Sequence, residues 1–496
     1  MKVKRLFSLW VALTAALAFH AHVEGQTLAE KVREFQLNNG LRLLVVERRG
    51  SPTFSAHIAI GVGAVHETSH NRGVAHLLEH MLFKGTKTVG TKDYRRERRL
   101  LEEIEKIGAA LDELRFRAQG ESPEAAALKD RLAALQEEHK QFVVKDEAAR
   151  IYAENGGVGF NAYTSRDLTA YIVSLPSNKL ELWAFLESDR MKNAVFREFY
   201  TEREVVMEER RRAYDSDPQG LLMENLLAAA FAVHPYRNPI IGWESDIPFL
   251  TLSKTRDFHD KYYAPVNTVI SLAGDVDAEA AYRMVERYFG AIPPGTPVPP
   301  VVAVEPPQRG EKRLEIHFDA EPRVMIAFHK PTLPSREDYA FDLIDMILGD
   351  GRTSRLYRSL VVEKRLATSV STSTLPASRY PNLFVISAVP RHPHTAAEVE
   401  KAVYEELARL AAEPVAAEEL EKVRTRLRVD RLRRLKSNQS LAGMLSYFQT
   451  VAGDWRYATR YDDEIAAISA EDVRQAAATY LRGGNRTVAV LKRGAP

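Results

Sequence analysis

The strongest constraint on the fold is that the two halves of this 496-residue chain end alike. Residues 252–263, followed by Asn267-Thr-Val-Ile, correspond to residues 468–480, followed by Asn485-Arg-Thr-Val. Each block has the pattern of a helix that leads into a strand. A repeat of this kind indicates a duplicated unit, and a chain of this length is expected to hold two or more domains. We therefore expect two copies of one αβ domain.

Short apolar runs predict strands in both halves. They lie at 41–46, 54–60, 170–175 and 268–273 in the first half, and at 314–318 and 323–328 in the second. A helix is predicted to follow the strand at 54–60 and another to follow the strand at 323–328, so each half has the elements of one αβ domain. The predicted domains span 30–290 and 313–496, and a Pro-rich linker at 291–312 joins them.

The segment His76-Leu77-Leu78-Glu79-His80 carries the chemistry of the first half. Two histidines four apart on a helix project from one face and can share one zinc ion. Glu79 lies beside that face, where it can reach a water on the metal. This is the H-x-x-E-H arrangement of one class of zinc peptidases. The alternative is a helix with solvated or core histidines.

Catalytic zinc keeps three protein ligands, and the chain has no cysteine to supply one. The best candidates are Glu202 and Glu209, which are seven apart and therefore share a helix face. One could bind zinc while the other orients a histidine. The alternative is a charged, solvated helix. The helix that begins the second half has no histidine at 338–348, so only the first half is expected to bind zinc.

The chain resembles the pitrilysin, insulinase and mitochondrial-processing-peptidase family of zinc endopeptidases. The similarity runs through four blocks in the same order, at 73–86, 156–171, 202–209 and 234–242. The resemblance implies that the fold class is α+β. The expected structure has two duplicated αβ sandwich domains, each an antiparallel-rich sheet with helices packed on one face, and they enclose a peptide chamber. The resemblance also implies roles for five residues: one Zn²⁺ on His76, His80 and Glu209, Glu79 as general base, and Glu202 as a supporting catalytic glutamate.

The resemblance further implies that a strand at 159–163 borders the cleft. Phe160, Asn161 and Ala162 are then expected to bind the substrate, because an extended peptide can add to the edge of a sheet. The alternative is an ordinary sheet edge.

One departure from the family is an insertion at about residues 95–150. Apolar residues recur at helical spacing from Leu100 to Leu114 and again from Leu128 to Leu135. A break at 119–124 separates them, with Ser122 placed to cap the second helix. We expect an antiparallel helical hairpin. It could be a solvated spike, a partner-docking arm or a lid over the chamber.

A second departure concerns an arginine and a tyrosine that single-chain members carry in the second half. These residues hold the substrate backbone and stabilise the oxyanion. Here Val361 and Thr368 occupy their positions, and nearby Tyr357 and Arg358 stand in the wrong order. The resemblance therefore implies a heterodimer in which a homologous sister subunit supplies the pair, which a second copy of this chain would not restore.

Residues 1–25 have the pattern of a signal peptide. Basic residues precede an apolar run at 6–19, which is short for a membrane span, and cleavage could follow Ala18 or Gly25. We expect an exported, periplasmic protein with no stable membrane span after cleavage. The alternative is an uncleaved membrane anchor.

The net charge of +2 predicts no general affinity for nucleic acid. Taken together, the patterns and the resemblance predict a zinc-dependent metalloendopeptidase that acts on peptides or unstructured protein segments. The alternatives are a non-catalytic scaffold subunit and a peptide-binding module without turnover.

Overall fold

Strands form two sheets in residues 28–494, the part of the chain that the computed structural model describes. The predicted signal peptide lies outside these residues. The first sheet contains β1 (Val32–Gln36), β2 (Arg42–Glu47), β3 (Thr53–Ile60), β4 (Val158–Thr164), β5 (Thr169–Pro176) and β6 (Thr268–Gly274). The second contains β7 (Lys312–Phe318), β8 (Arg323–Lys330), β9 (Ala367–Leu375), β10 (Asn382–Pro390) and β11 (Arg486–Arg493).

Helices fill the intervals between the strands. The first half contains α1 (Leu28–Lys31), α2 (Val74–Met81), α3 (Tyr94–Phe116), α4 (Pro123–His139), α5 (Glu147–Glu154), α6 (Leu180–Asn193), α7 (Phe199–Arg210), α8 (Pro218–Ala230), α9 (Leu252–Tyr262) and α10 (Ala278–Phe289). The second contains α11 (Arg336–Leu348), α12 (Ala396–Ala412), α13 (Ala417–Lys436), α14 (Asn438–Val451), α15 (Tyr457–Ala467) and α16 (Ala470–Tyr480).

The two sheets have the same topology once the edge strand β1 is set aside. The first runs β1-β2-β6-β3-β5-β4, and the second runs β7-β11-β8-β10-β9. Each contains one parallel pair, β2 with β6 and β7 with β11, and the other neighbours are antiparallel. This is the duplication that the repeated half-ends predict, and the α+β fold class is confirmed.

Each sheet packs its own helices on one face and a helix of the other half on the opposite face. Helices α2, α6, α7, α9 and α10 share a core with the first sheet. On the other side of that sheet, Leu441 and Leu445 of α14 pack against β3 and β6. In exchange, Leu222 and Leu226 of α8 pack on the second sheet. Each sheet is therefore covered in part by a helix of the other half. The predicted domains and the linker at 291–312 stay predictions.

The insertion folds as two packed helices, α3 and α4. Asp93 caps α3 through the N–H groups of Arg95 and Arg96, and Ser122 caps α4 immediately before Pro123. Its apolar residues belong to the same core as the first sheet, among them Leu100, Ile104, Leu111, Leu114, Leu132 and Leu135. The hairpin is therefore part of the body of the first half and not a solvated spike.

Between α10 and β7, residues 293–311 contain no helix or strand. None of the helices in residues 28–494 is both long and apolar enough to cross a membrane.

Candidate metal centre

Helix α2 begins at a tightly constrained glycine. Gly73 has a φ of +90°, and a Cβ atom there would overlap the carbonyl oxygen of Ile241. The carboxylate of Glu67 accepts hydrogen bonds of 2.8 Å from the N–H groups of Gly73 and Ala75. These contacts satisfy free donors of the first turn and fix where the helix starts.

The two histidines of the motif lie side by side on α2. Leu77, Leu78 and Met81 are fully buried on the core side of the helix. The His76 and His80 rings are 4.7 Å apart between centroids, and each side chain keeps a small exposed fraction, 14% and 24%. The i, i+4 spacing therefore gives one face with two adjacent imidazoles, as the motif predicts.

Helix α7 brings a glutamate to this face. Oε1 of Glu209 lies 3.6 Å from Nε2 of His76, and its Oε2 lies 3.5 Å from Nε2 of His80. The ligand atoms of these three residues all lie within 4.8 Å of one another. Glu208, which precedes Glu209 in the chain, is turned away from the two histidines and pairs with Arg211 and Arg212.

Glu202 lies on the same face of α7 as Glu209 and contacts Nδ1 of His80, the ring nitrogen that does not face Glu209. Its Oε1 lies 2.9 Å from Nδ1 of His80, and its Oε2 lies 2.6 Å from Nζ of Lys84. Burial by itself would raise the pKa of Glu202, but these two partners outweigh it and lower the pKa to about 2. The ionised carboxylate holds the His80 ring with Nε2 directed at Glu209, the arrangement expected behind a metal-binding histidine.

The two imidazoles differ in their electrostatics. Burial, followed by the neighbouring His80, lowers the pKa of His76 to about 3, so its ring is neutral near pH 7. Burial also acts to lower the pKa of His80, but Glu202, Glu209 and Glu79 outweigh it and raise the pKa.

Glu79 lies beside this cluster and is held by strand β4. The hydroxyl of Thr164 donates a hydrogen bond of 2.6 Å to Oε2 of Glu79. Burial raises the pKa of the Glu79 carboxyl, which makes it a better proton acceptor than an exposed glutamate.

The predicted substrate strand is β4, and it is an edge of the first sheet. The Phe160 ring packs against Phe83 and Tyr152, with centroid distances of 5.3 and 4.7 Å. Ala162 is buried, whereas Asn161 is exposed. The Phe160 side chain is therefore packed in the core, and of the three predicted substrate-binding side chains only that of Asn161 is exposed.

The second half places no arginine–tyrosine pair at the corresponding positions. Val361 lies in a π-helical segment, Tyr357–Glu363, and packs against the core of the second half. Thr368 is exposed on β9. Arg358 pairs with Glu363 at 3.3 Å.

Two contributors to the site were missed by sequence reasoning. Thr164 and Lys84 both lie inside the blocks that carry the family resemblance, yet neither was given a role. Their partners, Glu79 and Glu202, are more than 80 residues away along the chain in each case. The position of Thr164 in the block at 156–171 is the one signal that could have singled it out.

This donor set fits zinc. Two imidazole nitrogens and one carboxylate are the three protein ligands of a known class of catalytic zinc sites. His76 is neutral, as a ligand must be, and Glu202 supports His80 from behind.

Comparison with known proteins shows the family to which the chain belongs. The model of the insulinase family, peptidase family M16, matches residues 42–119 and 143–244, and the model of the peptidase M16 inactive domain matches residues 250–427. The chain belongs to peptidase family M16. The gap in the first match, residues 120–142, falls within the hairpin insertion.

Several known proteins are similar over most of the chain. The zinc protease PqqE of Helicobacter pylori is 26% identical over 498 residues, covering 99% of each protein. The crystal structure of a protease from Helicobacter pylori has a TM-score of 0.79 at 24% identity, covering 93% of this chain and 99% of that one. The periplasmic protease PqqL of Escherichia coli has a TM-score of 0.69 at 17% identity, covering 93% of this chain and 48% of that one.

These similarities support a peptidase at the level of the family. Curated relatives of this M16 chain are named zinc proteases, which supports peptidase chemistry with zinc. They are distant in sequence, and the second half matches a domain described as inactive.

Proposed function

We propose that this M16 protein is a zinc-dependent endopeptidase that cleaves peptides or unstructured protein segments. His76, His80 and Glu209 would hold one Zn²⁺ ion, and Glu79 would act as the general base. The observation that carries the proposal is the convergence of these three ligand atoms within 4.8 Å, with Glu79 on the same helix.

The proposed mechanism divides the work among named side chains. A bound zinc ion would lower the pKa of a water molecule and polarise the peptide carbonyl. Glu79 takes the proton of the attacking water at Oε1, the oxygen that Thr164 does not engage, and returns it to the leaving amine. Glu202 keeps the His80 ring in place throughout.

The free edge of β4 is the proposed substrate-binding element. Within residues 28–494 it pairs with β5 alone, and it ends at Thr164, the residue that holds Glu79. An extended peptide added to this edge would run past the general base. Main-chain hydrogen bonds would dominate such binding, which favours segments without stable structure of their own.

The missing arginine–tyrosine pair supports a two-subunit enzyme. With Val361 packed against the core and Thr368 exposed, this half offers no cation at those positions for an oxyanion. A homologous sister subunit would supply one. The same observation, with the match to an inactive domain, favours the alternative of a non-catalytic scaffold or peptide-binding subunit.

The proposed location is the periplasm. The signal-peptide pattern of residues 1–25 supports export, and the similar PqqL of Escherichia coli is described as periplasmic.

The decisive experiment measures cleavage of an unstructured quenched-fluorescence peptide by the zinc-loaded mature chain. Glu79→Gln serves as the inactive variant and Glu208→Gln as the matched control, because Glu208 is turned away from the site. Peptidase activity that is lost only in Glu79→Gln supports the proposal and a self-sufficient enzyme. If the chain alone is silent, the assay is repeated with a co-purifying M16 relative that carries the arginine–tyrosine pair, and continued silence favours the scaffold.

A further inference from the structure

The guanidinium of Arg197 joins the hairpin insertion to the turn that follows the motif helix. It is fully buried, and its Nε and Nη2 atoms lie 2.6 and 3.0 Å from the two carboxylate oxygens of Glu97 on α3. Nη1 and Nη2 also donate to the carbonyl oxygens of Lys84 and Thr86, at 3.1 and 2.6 Å. One side chain therefore fixes both the hairpin and the turn.

The second hairpin helix closes the same cluster. Nε2 of His139, on α4, lies 2.8 Å from Oε1 of Glu97, and both side chains are buried. Burial by itself would raise the pKa of Glu97, but His139 and Arg197 outweigh it and lower the pKa to about 2. Glu97 is thus the ionised partner that a buried guanidinium requires.

From this turn, a chain of contacts leads to the metal centre. Nζ of Lys84 lies 2.6 Å from Glu202 and 3.3 Å from Glu198, and Glu202 in turn lies 2.9 Å from Nδ1 of His80. The backbone of Lys84 is held by Arg197, while its side chain holds Glu202.

The hairpin also contacts α7 directly, through residues other than Glu202 and Glu209. Nη1 of Arg203 lies 2.9 Å from Asp112 on α3 and 2.7 Å from the carbonyl oxygen of Leu250. Gly108 lies so close to the Tyr200 ring that a Cβ atom there would overlap it. Helix α7 is therefore clamped by α3 on one side and presents Glu202 and Glu209 on another.

We propose that the hairpin insertion is a brace for the metal centre, with Arg197 as its positioning residue. This role rests on the proposed zinc site. Glu97 and His139 hold Arg197, Arg197 holds the turn, and the Lys84 side chain on that turn holds Glu202 against His80. In this role the hairpin sets the affinity for zinc and is neither a lid nor a free docking arm.

The test is a zinc dissociation constant, measured by competition with a chromophoric chelator on the full mature chain. We expect Lys84→Met and Glu97→Gln each to weaken zinc binding by about tenfold or more, the usual effect of removing support behind a metal ligand. Because both residues act through Glu202, the double variant should lose less than the product of the two single losses. Urea unfolding without zinc establishes that each variant is folded.

A second pair of variants perturbs the brace without changing a charge. Gly108→Ala forces α3 and α7 apart at Tyr200, whereas Gly120→Ala, in the turn between α3 and α4, meets its nearest atom at 3.8 Å. The brace predicts weaker zinc binding for Gly108→Ala and an unchanged dissociation constant for Gly120→Ala. If Glu97→Gln fails to fold, the zinc affinities of Gly108→Ala and Gly120→Ala test the brace in its place.

The control for charge is Glu103→Gln, which removes the exposed Glu103–Arg131 pair on the same hairpin. Wild-type zinc affinity in folded Glu97→Gln and Gly108→Ala would overturn the brace, as would strictly multiplicative losses in the double variant. Absence of zinc binding by the unmodified chain would instead contradict the proposed function itself.

Discussion

The hydroxyl of Thr164 donates a 2.6 Å hydrogen bond to Oε2 of Glu79, joining the end of the edge strand β4 to the motif helix α2. The proposed base and the proposed substrate strand are thereby set relative to one another. A peptide added to β4 would be positioned by the same strand that orients the carboxylate.

Removal of this hydrogen bond should slow catalysis without loss of the metal. We expect Thr164→Val to lower kcat/KM by roughly ten- to a hundredfold, since hydrogen bonds to charged groups contribute about 1.5–3 kcal/mol. Thr164→Ser, which keeps the hydroxyl, should retain most of the activity. Peptide cleavage kinetics and zinc content are measured together, and full activity in Thr164→Val would contradict the positioning of Glu79 by Thr164.

The joint between the two halves depends on Asp167. Its Oδ2 accepts the N–H groups of Ser378 and Arg379, at 3.0 and 2.9 Å, and its Oδ1 accepts the Tyr236 hydroxyl at 2.6 Å. Asp167→Asn would leave one oxygen to accept from three donors, so we expect a loss of about 1–3 kcal/mol in the free energy of unfolding. Urea unfolding measures it.

The matched control for this change is Asp319→Asn, at an exposed aspartate that pairs with Arg493. Equal unfolding midpoints for the two variants would show that the Asp167 contacts do not stabilise the joint.

Asp342 on α11 gives a prediction for pH. Burial raises its pKa from 3.8 to about 7, although the Tyr461 hydroxyl lies 2.7 Å from the carboxylate. The folded state therefore keeps a proton that the unfolded state loses, and the stability from this group is lost as pH rises from about 4 to 7. Asp342→Asn should remove that loss.

The measurement is urea unfolding at pH 5 and pH 8. We expect the stability of Asp342→Asn relative to the natural chain to increase between these values by a few kcal/mol at most. A difference that does not change with pH would show that Asp342 ionises in the folded state as it does in water.

Zinc removal should lower the melting temperature. A ligand that binds only the folded state stabilises it in proportion to the logarithm of its concentration over its dissociation constant. A chelator should therefore reduce the melting temperature of the natural chain and leave that of His76→Ala unchanged. Equal shifts in both proteins would indicate that the chelator acts elsewhere.

Much of this architecture follows from local patterns. The spacing of His76 and His80 predicts one helix face, and the residues around Ser122 predict the break in the hairpin. The repeated half-ends predict two sheets of the same topology. Each of these signals lies within a few turns of helix or a few residues of strand.

The features that were not predicted depend on contacts between distant parts of the chain. The apolar faces of α8 and α14 show that each is buried, but not that each covers the sheet of the other half. The bonds of Thr164 to Glu79 and of Arg197 to Glu97 join single residues with no periodic pattern around them. Such pairs become visible only when the sheets bring the segments together.

The central claim is tested most directly by the zinc content of three purified chains: the natural protein, Glu209→Ala and Glu208→Ala. The two glutamates are adjacent, but only Glu209 faces His76 and His80. We predict one zinc ion per chain in the natural protein and in Glu208→Ala, and a loss of bound zinc in Glu209→Ala. Equal zinc content in all three chains, or none in any of them, would contradict the account.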